Sequence, residues 1–166
     1  MARVTLGGNP VSTSSELPKV GSQAPDFNLT TIDLADVSLA DYAGKKVILN
    51  VFPSVDTSVC AASVRKFNAE AAGLKGVVVL CVSKDLPFAH KRFCGAEGIR
   101  NVDSLSALRG SDFGKAYGVL LTDGPLAGLF ARSIVILDEK GKVVYTQLVP
   151  EIKEEPNYDE ALAAVR

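Results

Sequence analysis

The stretch KVILNVFPSVDTSVCAASVRKFN, residues 46–68, decides how the chain folds. Lys46 to Phe52 form a near-continuous apolar run of the kind carried by a strand buried on both faces. Pro53 ends that strand because it has no N–H to give to a ladder. Beyond it the period changes: Val64, Phe67, Ala71 and Leu74 recur at three- and four-residue spacing, the apolar face of a helix. A second apolar run, VVVLCVS at 77–83, follows. Strand, helix and strand in that order predict a right-handed crossover joining a parallel pair.

Upstream, Val4 and Leu6 before Gly7-Gly8-Asn9, with Val11 and Thr13 after it, predict a β-hairpin over the first fifteen residues. Pro18, Gly21 and Pro25 punctuate a connector to a short strand at Phe27 to Leu29. Ser38 with Asp41 three places on predicts a capped helix of one to two turns, closed by Gly44. Downstream, Pro87 suits the first turn of a second helix, PFAHKRFC, which Gly95 terminates. A short strand near Val102 to Leu105 and a small helix from Ser111 to Tyr117 come next. SIVIL at 133–137 and KVVYTQLV at 142–149, separated by Asp138-Glu139-Lys140-Gly141, read as an antiparallel hairpin. Asn157 with Glu160 caps a last helix whose Ala161, Leu162 and Val165 face inward. The expected fold is α/β and thioredoxin-like, a central mixed sheet flanked by helices. It forms a single domain over residues 1–166, with residues 1–15 as an N-terminal β-hairpin extension.

A chain of 166 residues that is 47% hydrophobic can bury a core of its own within the usual length of one domain. Eighteen Lys and Arg against nineteen Asp and Glu leave a formal net charge of −1, and no basic run exceeds two adjacent residues, which argues against nucleic acid and anionic membrane as partners. The longest apolar stretch, VVVLCV at 77–82, is too short to span a bilayer, and MARVTLGGNPV has no apolar run of signal-peptide length, so the expected location is cytoplasmic. Three cysteines, at 60, 81 and 94, make an odd count without paired spacing, which fits reduced thiols better than a secreted disulfide framework.

With Thr57 or Ser58 as helix N-cap, Cys60 falls in the first turn, where free backbone N–H groups and the positive end of the macrodipole favour a thiolate. Bringing a free thiol from a pKa near ~8.5 to ~6 takes about 3.4 kcal/mol. A helix end supplies about 0.3–1 kcal/mol, up to ~2 when partly buried. A cation is therefore needed. Arg132 opens a predicted strand in FARSIVIL, and its planar donors suit holding a thiolate and a polarised oxygen together; the plainer reading is an exposed strand-end arginine. The ring of Pro53 can shield one side of the thiol, and the Thr57 hydroxyl can cap the helix or donate and accept within a pocket.

The order Pro53, Thr57, Cys60 matches the Pro-x-x-x-Thr-x-x-Cys signature of peroxiredoxins. PSVDTSVCAASVRKFN together with DLPFAHKRFCGAEG resembles the thiol peroxidase subfamily, the atypical two-cysteine bacterial type. The likeness runs from GNPV near the start to the final helix, and the two motifs together are highly specific. The resemblance implies a thioredoxin-like fold, reduction of hydrogen peroxide and organic hydroperoxides in antioxidant defence, electrons from thioredoxin, and a homodimer. By position it makes Cys60 the peroxidatic cysteine, Cys94 the resolving cysteine, and Pro53, Thr57 and Arg132 the pocket that activates the peroxide. Such chemistry asks for a low-pKa nucleophile, orienting donors and stabilisation of the departing oxygen, with no metal and no organic cofactor.

The sulfenic acid so formed needs a second thiol before further peroxide drives it to sulfinic acid, and Cys94 is the candidate. Cys60 and Cys94 fall on different predicted helices, whereas a disulfide requires Cα atoms within about 7 Å, so one or both helix ends are expected to unwind. Cys81, inside an apolar strand, reads as a small core hydrophobe. His90, four residues before Cys94, reads as an exposed helix histidine rather than a metal or dyad partner, and Asp56 as a turn former. Two rival functions stay open: a monothiol oxidoreductase built on Cys60-Ala-Ala-Ser63, and a redox sensor or holdase that exposes apolar helix faces on oxidation.

Overall fold

The computed structural model describes residues 1–109 and 112–166. Strands β1 (Arg3–Leu6) and β2 (Asn9–Ser12) form the N-terminal hairpin. Gly7 and Gly8 take φ of 59° and 85°, the pair of left-handed residues that a two-residue hairpin loop needs to match strand twist. After the connector, β3 (Asn28–Thr31) and β4 (Asp36–Ser38) make a second hairpin. β4 carries no alternating apolar signal and runs directly into a 3-10 turn, Leu39–Tyr42, where the Ser38 N–H donates to Asp41 Oδ2 at 2.8 Å. The predicted capped helix is thus a single tight turn.

The decisive stretch folds as β5 (Lys46–Val51) followed by α1 (Ser58–Ala71), and the second apolar run is β6 (Val77–Ser83), parallel to β5. α2 (Pro87–Glu97) starts on proline as predicted but does not stop at Gly95. It continues to Gly98, whose φ of 66° supplies the left-handed residue that ends a helix; the N–H groups of Gly98 and Ile99 both return to the carbonyl of Cys94. β7 (Asp103–Ser106) follows, then α3 (Phe113–Ala116), β8 (Ser133–Leu137), β9 (Val143–Leu148) and α4 (Tyr158–Ala163). Ser111, the predicted start of the small helix, lies outside the described residues. Asn157 Oδ1 accepts the Glu160 N–H at 3.1 Å, the cap expected for α4.

Seven strands form one mixed sheet in the order β4-β3-β7-β6-β5-β8-β9. Alternation along its central strands splits the core in two. Leu49, Val51, Leu80, Val82, Val135 and Leu137 point to one face, with Phe113, Tyr117 and Phe130. Ile48, Val79, Cys81, Ile134 and Ile136 point to the other, against Val64 and Phe67 of α1, Phe93 of α2 and Leu162 of α4. Burial on both faces is why these strands read as unbroken apolar runs. Cys60 and Cys94 belong to the second cluster, on the same side of the sheet.

The N-terminal hairpin is fastened to the segment after β9. Thr5 N–H donates to the Pro150 carbonyl at 2.7 Å, and Ile152 N–H donates to the Thr5 carbonyl at 2.8 Å. The carboxylate of Glu151 accepts from the N–H groups of Gly7 (3.1 Å), Gly8 (2.8 Å) and Lys153 (2.9 Å) and from the Thr5 hydroxyl (3.0 Å). These donors, the Lys153 and Gly8 amides foremost, hold the Glu151 carboxyl down at about 2 against the raising effect of burial. Among the described residues no helix is long and apolar enough to cross a membrane.

Candidate active site

Topology assembles the site at the carboxyl end of β5. β8 runs antiparallel to β5 with Ser133 paired to Val51, so Arg132, just before β8, lands beside the Phe52-Pro53 exit of β5 and the start of α1. Arg132 is only 2% exposed, which overturns the reading of a solvated strand-end arginine. Its Nε donates to the carbonyl of Ile152 at 2.8 Å and its Nη2 to Cys60 Sγ at 3.3 Å. Nη1 is buried with no hydrogen-bond partner among the described residues. A buried guanidinium that gives one nitrogen to a carbonyl, one to sulfur and keeps one in reserve is placed to bind a further oxygen.

Thr57 is the N-cap residue of α1, with φ −97° and ψ 147°, and the Ala61 N–H donates to its carbonyl at 3.0 Å. Its hydroxyl makes no cap bond. Instead Oγ1 donates to the Ser54 carbonyl at 3.1 Å, which leaves its lone pairs as acceptors. Cys60, in the first turn of α1, has no exposed surface. Pro53, Thr57, Ser58, Val59 and Arg132 line a cavity of about 730 Å³, with Leu126 and Ile152 in its apolar wall. That volume falls within the range of small-molecule sites.

Residues 19–162 match the family model described as Redoxin. Thiol peroxidases of Mycobacterium tuberculosis (strain ATCC 25618 / H37Rv) and Corynebacterium glutamicum are 60% and 57% identical over 165 residues, 99% of this chain and 99% of each of theirs. The chain belongs to the thiol peroxidases of the redoxin family. It is a peroxidase, and its mixed sheet with flanking helices and N-terminal hairpin is the thioredoxin-like fold of that family. A peroxiredoxin-like protein from Aquifex aeolicus superposes with a TM-score of 0.94 at 44% identity, covering 99% of this chain and 96% of that one. A thiol peroxidase from Chromobacterium violaceum shares the fold, with a TM-score of 0.90 at 23% identity over 98% of this chain and 95% of that one.

In this thiol peroxidase the two outlying thiols are held apart from Cys60. All three cysteines are free. Cys94 lies in the closing turn of α2, buried, with Sγ 3.4 Å from Ser104 Oγ on β7. Cys60 faces Arg132 at the start of β8, and β7 and β8 are three strand positions apart, about 14 Å at the usual inter-strand spacing. Cys81 is buried in β6, and burial pushes its thiol up to about 12, partly offset by a weak donor, Asn50 Nδ2, at 3.7 Å. Ser63 donates to the Cys60 carbonyl at 2.8 Å and accepts from Asn50 at 3.2 Å. The hydroxyl of Cys60-Ala-Ala-Ser63 therefore bonds backbone rather than the sulfur.

His90 corrects the sequence reading outright: it has no exposed surface. Its Nε2 lies 3.1 Å from Ser83 Oγ, and burial pulls its pKa below the ordinary imidazole value, against the raising effects of Asp85 and Asp56. Asp56 is exposed and forms an ion pair with Arg92 of α2 at 2.8 Å. Among the described residues no three His, Cys, Asp or Glu side chains gather as a metal site. Two residues near the site gave no sequence signal. Asp85, given no role of its own in the sequence reading, accepts from Ser54 Oγ at 2.7 Å and from the Val55 N–H at 2.9 Å. Ile152 anchors Arg132 through its carbonyl, a role that no side-chain pattern can announce.

Proposed function

We propose that this peroxidase reduces hydrogen peroxide and organic hydroperoxides through Cys60, with Cys94 as resolving thiol and thioredoxin as the final reductant. The observation that carries the reading is the 3.3 Å contact from Arg132 Nη2 to Cys60 Sγ, beside a buried Nη1 with no partner among the described residues. The Cys60 thiolate attacks the nearer peroxide oxygen; the S–O bond forms as the O–O bond breaks, and the departing alkoxide or hydroxide leaves as alcohol or water after taking a proton. Arg132 stabilises the charge moving from sulfur to that oxygen, Thr57 accepts the peroxide hydrogen, and Pro53 keeps water from one side of the sulfur. The apolar wall around Leu126 and Ile152 gives an alkyl tail somewhere to lie, which extends the substrates to organic hydroperoxides.

The Cys94 thiol then attacks the Cys60 sulfenic sulfur, expelling water and closing a disulfide within one chain. Because the two thiols face different strands, the first turn of α1 or the closing turn of α2 has to open. A thioredoxin dithiol returns both cysteines to thiols. Peroxide-dependent NADPH consumption with thioredoxin and thioredoxin reductase, at catalytic enzyme, is the expected result, together with a Cys60–Cys94 linkage by mass spectrometry of the oxidised monomer. A single stoichiometric oxidation without turnover, or an inter-chain bond, overturns the reading.

A further inference from the structure

A hydrogen-bonded chain joins the helix that carries Cys94 to the loop that presents Thr57 and Cys60. Ser83, at the end of β6, is fully buried, and its hydroxyl donates to Asp85 Oδ2. It accepts from the Asp85 N–H at 3.2 Å and meets His90 Nε2 at 3.1 Å. A hydroxyl has one hydrogen and two lone pairs, so with its hydrogen given to Asp85 it accepts from His90, which places the imidazole proton on Nε2. Nδ1 is then a bare acceptor, consistent with its lack of any partner among the described residues. Asp85 in turn holds Ser54 Oγ and the Val55 N–H, and the Ser54 carbonyl receives both the N–H (3.2 Å) and the hydroxyl (3.1 Å) of Thr57. The backbone of Asp85 is fixed from β7, where Ser106 Oγ donates to its carbonyl at 2.6 Å. The chain runs unbroken from His90 and ends on the residue that caps the helix of Cys60.

We propose that Asp85 and His90 are positioning residues for the peroxidase reaction: through Ser83 they clamp α2 to the Ser54–Thr57 loop, setting Thr57 and Cys60 for attack and restraining the two helices from parting. The exposed Asp56–Arg92 ion pair spans the same two segments but is open to solvent and screened, so the buried chain carries the restraint. Two consequences of opposite sign follow. Loosening the clamp misplaces Thr57 and slows the attack on peroxide, and it makes opening of the helix ends easier, so resolution of the sulfenic acid quickens. The second consequence rests on the Cys60–Cys94 reading above; the first does not.

Rapid-quench mass spectrometry of the full-length reduced protein with hydrogen peroxide, following loss of thiol, appearance of disulfide and yield of sulfinic acid, separates the steps. Asp85→Ala is expected to slow thiol loss on the order of tenfold to a hundredfold, the scale of a misplacement near 1 Å. Ser83→Ala, which cuts the chain while leaving Asp85 on Ser54 and Val55, should lose less in that step, form disulfide faster and accumulate less sulfinic acid. His90→Gln, which keeps a donor for Ser83, should stay within about twofold of the parent, while His90→Leu behaves like Ser83→Ala. Folded Asp85→Ala and Ser83→Ala proteins with both rates unchanged and only a lower Tm overturn the proposal, as does a His90→Gln protein as altered as His90→Leu. A parent protein that loses its Cys60 thiol but forms no Cys60–Cys94 bond refutes the disulfide reading instead, and the clamp then stands or falls on the rate of thiol loss alone.

Discussion

Arg132 Nη2 donates to Cys60 Sγ across 3.3 Å while the same side chain is anchored through Nε to the carbonyl of Ile152. The anchor fixes the plane of the guanidinium, so its remaining nitrogens approach the sulfur in one orientation. Lysine keeps the charge but has no second donor in that plane to hold the carbonyl. Arg132→Lys is expected to lower the rate constant for peroxide with Cys60 by about 10²–10³, the usual loss when a preorganised donor to a developing anion is removed. Single-turnover loss of the Cys60 thiol checks it; a value within about threefold of the parent would show that charge alone is sufficient.

Cys94→Ser swaps Sγ for a smaller hydroxyl that can keep the Ser104 contact, so the fold should persist. Without a resolving thiol, turnover with thioredoxin should fall to background. The first equivalent of peroxide is still consumed, and excess peroxide should add two oxygen atoms to Cys60 as sulfinic acid. Intact-mass measurement over a peroxide titration reads both. Retained turnover would mean that thioredoxin reaches the Cys60 sulfenic acid directly.

The order of elements was legible because it follows from local signals: apolar runs, a proline stop and a helix start. The grouping of Pro53, Thr57, Cys60 and Arg132 in one pocket came from the resemblance to the peroxiredoxin signature, since by local pattern alone Arg132 reads equally well as a strand-end side chain. Helix ends were less legible. Gly95 and Gly98 are equally good stop signals in sequence, and only the backbone reveals that Gly98 takes the left-handed conformation. β4 was missed because three residues at a sheet edge, none fully buried, need no apolar alternation. His90 was misread for a different reason. Its neighbours Lys91 and Arg92 are exposed, and the partner that lets an imidazole be buried, Ser83, comes from another element. Side chains that meet across elements leave no spacing in the chain.

Glu151 gives the hairpin a pH dependence. Its carboxyl is held at about 2 in the folded protein by the Lys153, Gly8 and Gly7 amides. A depressed carboxyl stabilises the fold fully above its unfolded value, near ~4.3, and the contribution fades as pH falls towards the folded value. Between roughly pH 4.5 and 2 the parent should therefore lose stability more steeply than Glu151→Gln, which has no carboxyl to protonate. Urea titrations at stepped pH measure the two slopes. Because Ile152 is bonded to Thr5 on one side and to Arg132 on the other, Glu151→Gln at neutral pH should also slow the peroxide step modestly. Parallel slopes for the two proteins would remove the carboxylate from the account.

Cys81 should behave as core and nothing more. Burial pushes its thiol up to about 12, so at pH 8 it is protonated in the fold, whereas an unfolded chain carries an ordinary thiol near ~8.5 that is partly ionised. A raised acid stabilises fully below the unfolded value and loses its contribution as pH rises through the folded one, so this contribution weakens above about pH 8.5. In a Cys60→Ser, Cys94→Ser protein the remaining thiol should resist a maleimide at pH 8 until denaturant is added. Cys81→Ala should keep kcat/KM within about twofold and cost about 1–2 kcal/mol, because it opens a small void beside Asn50 and leaves the Ser63 bond intact. Labelling in the native double variant as fast as in the unfolded chain would show that β6 opens far more readily than a strand at the centre of the sheet should.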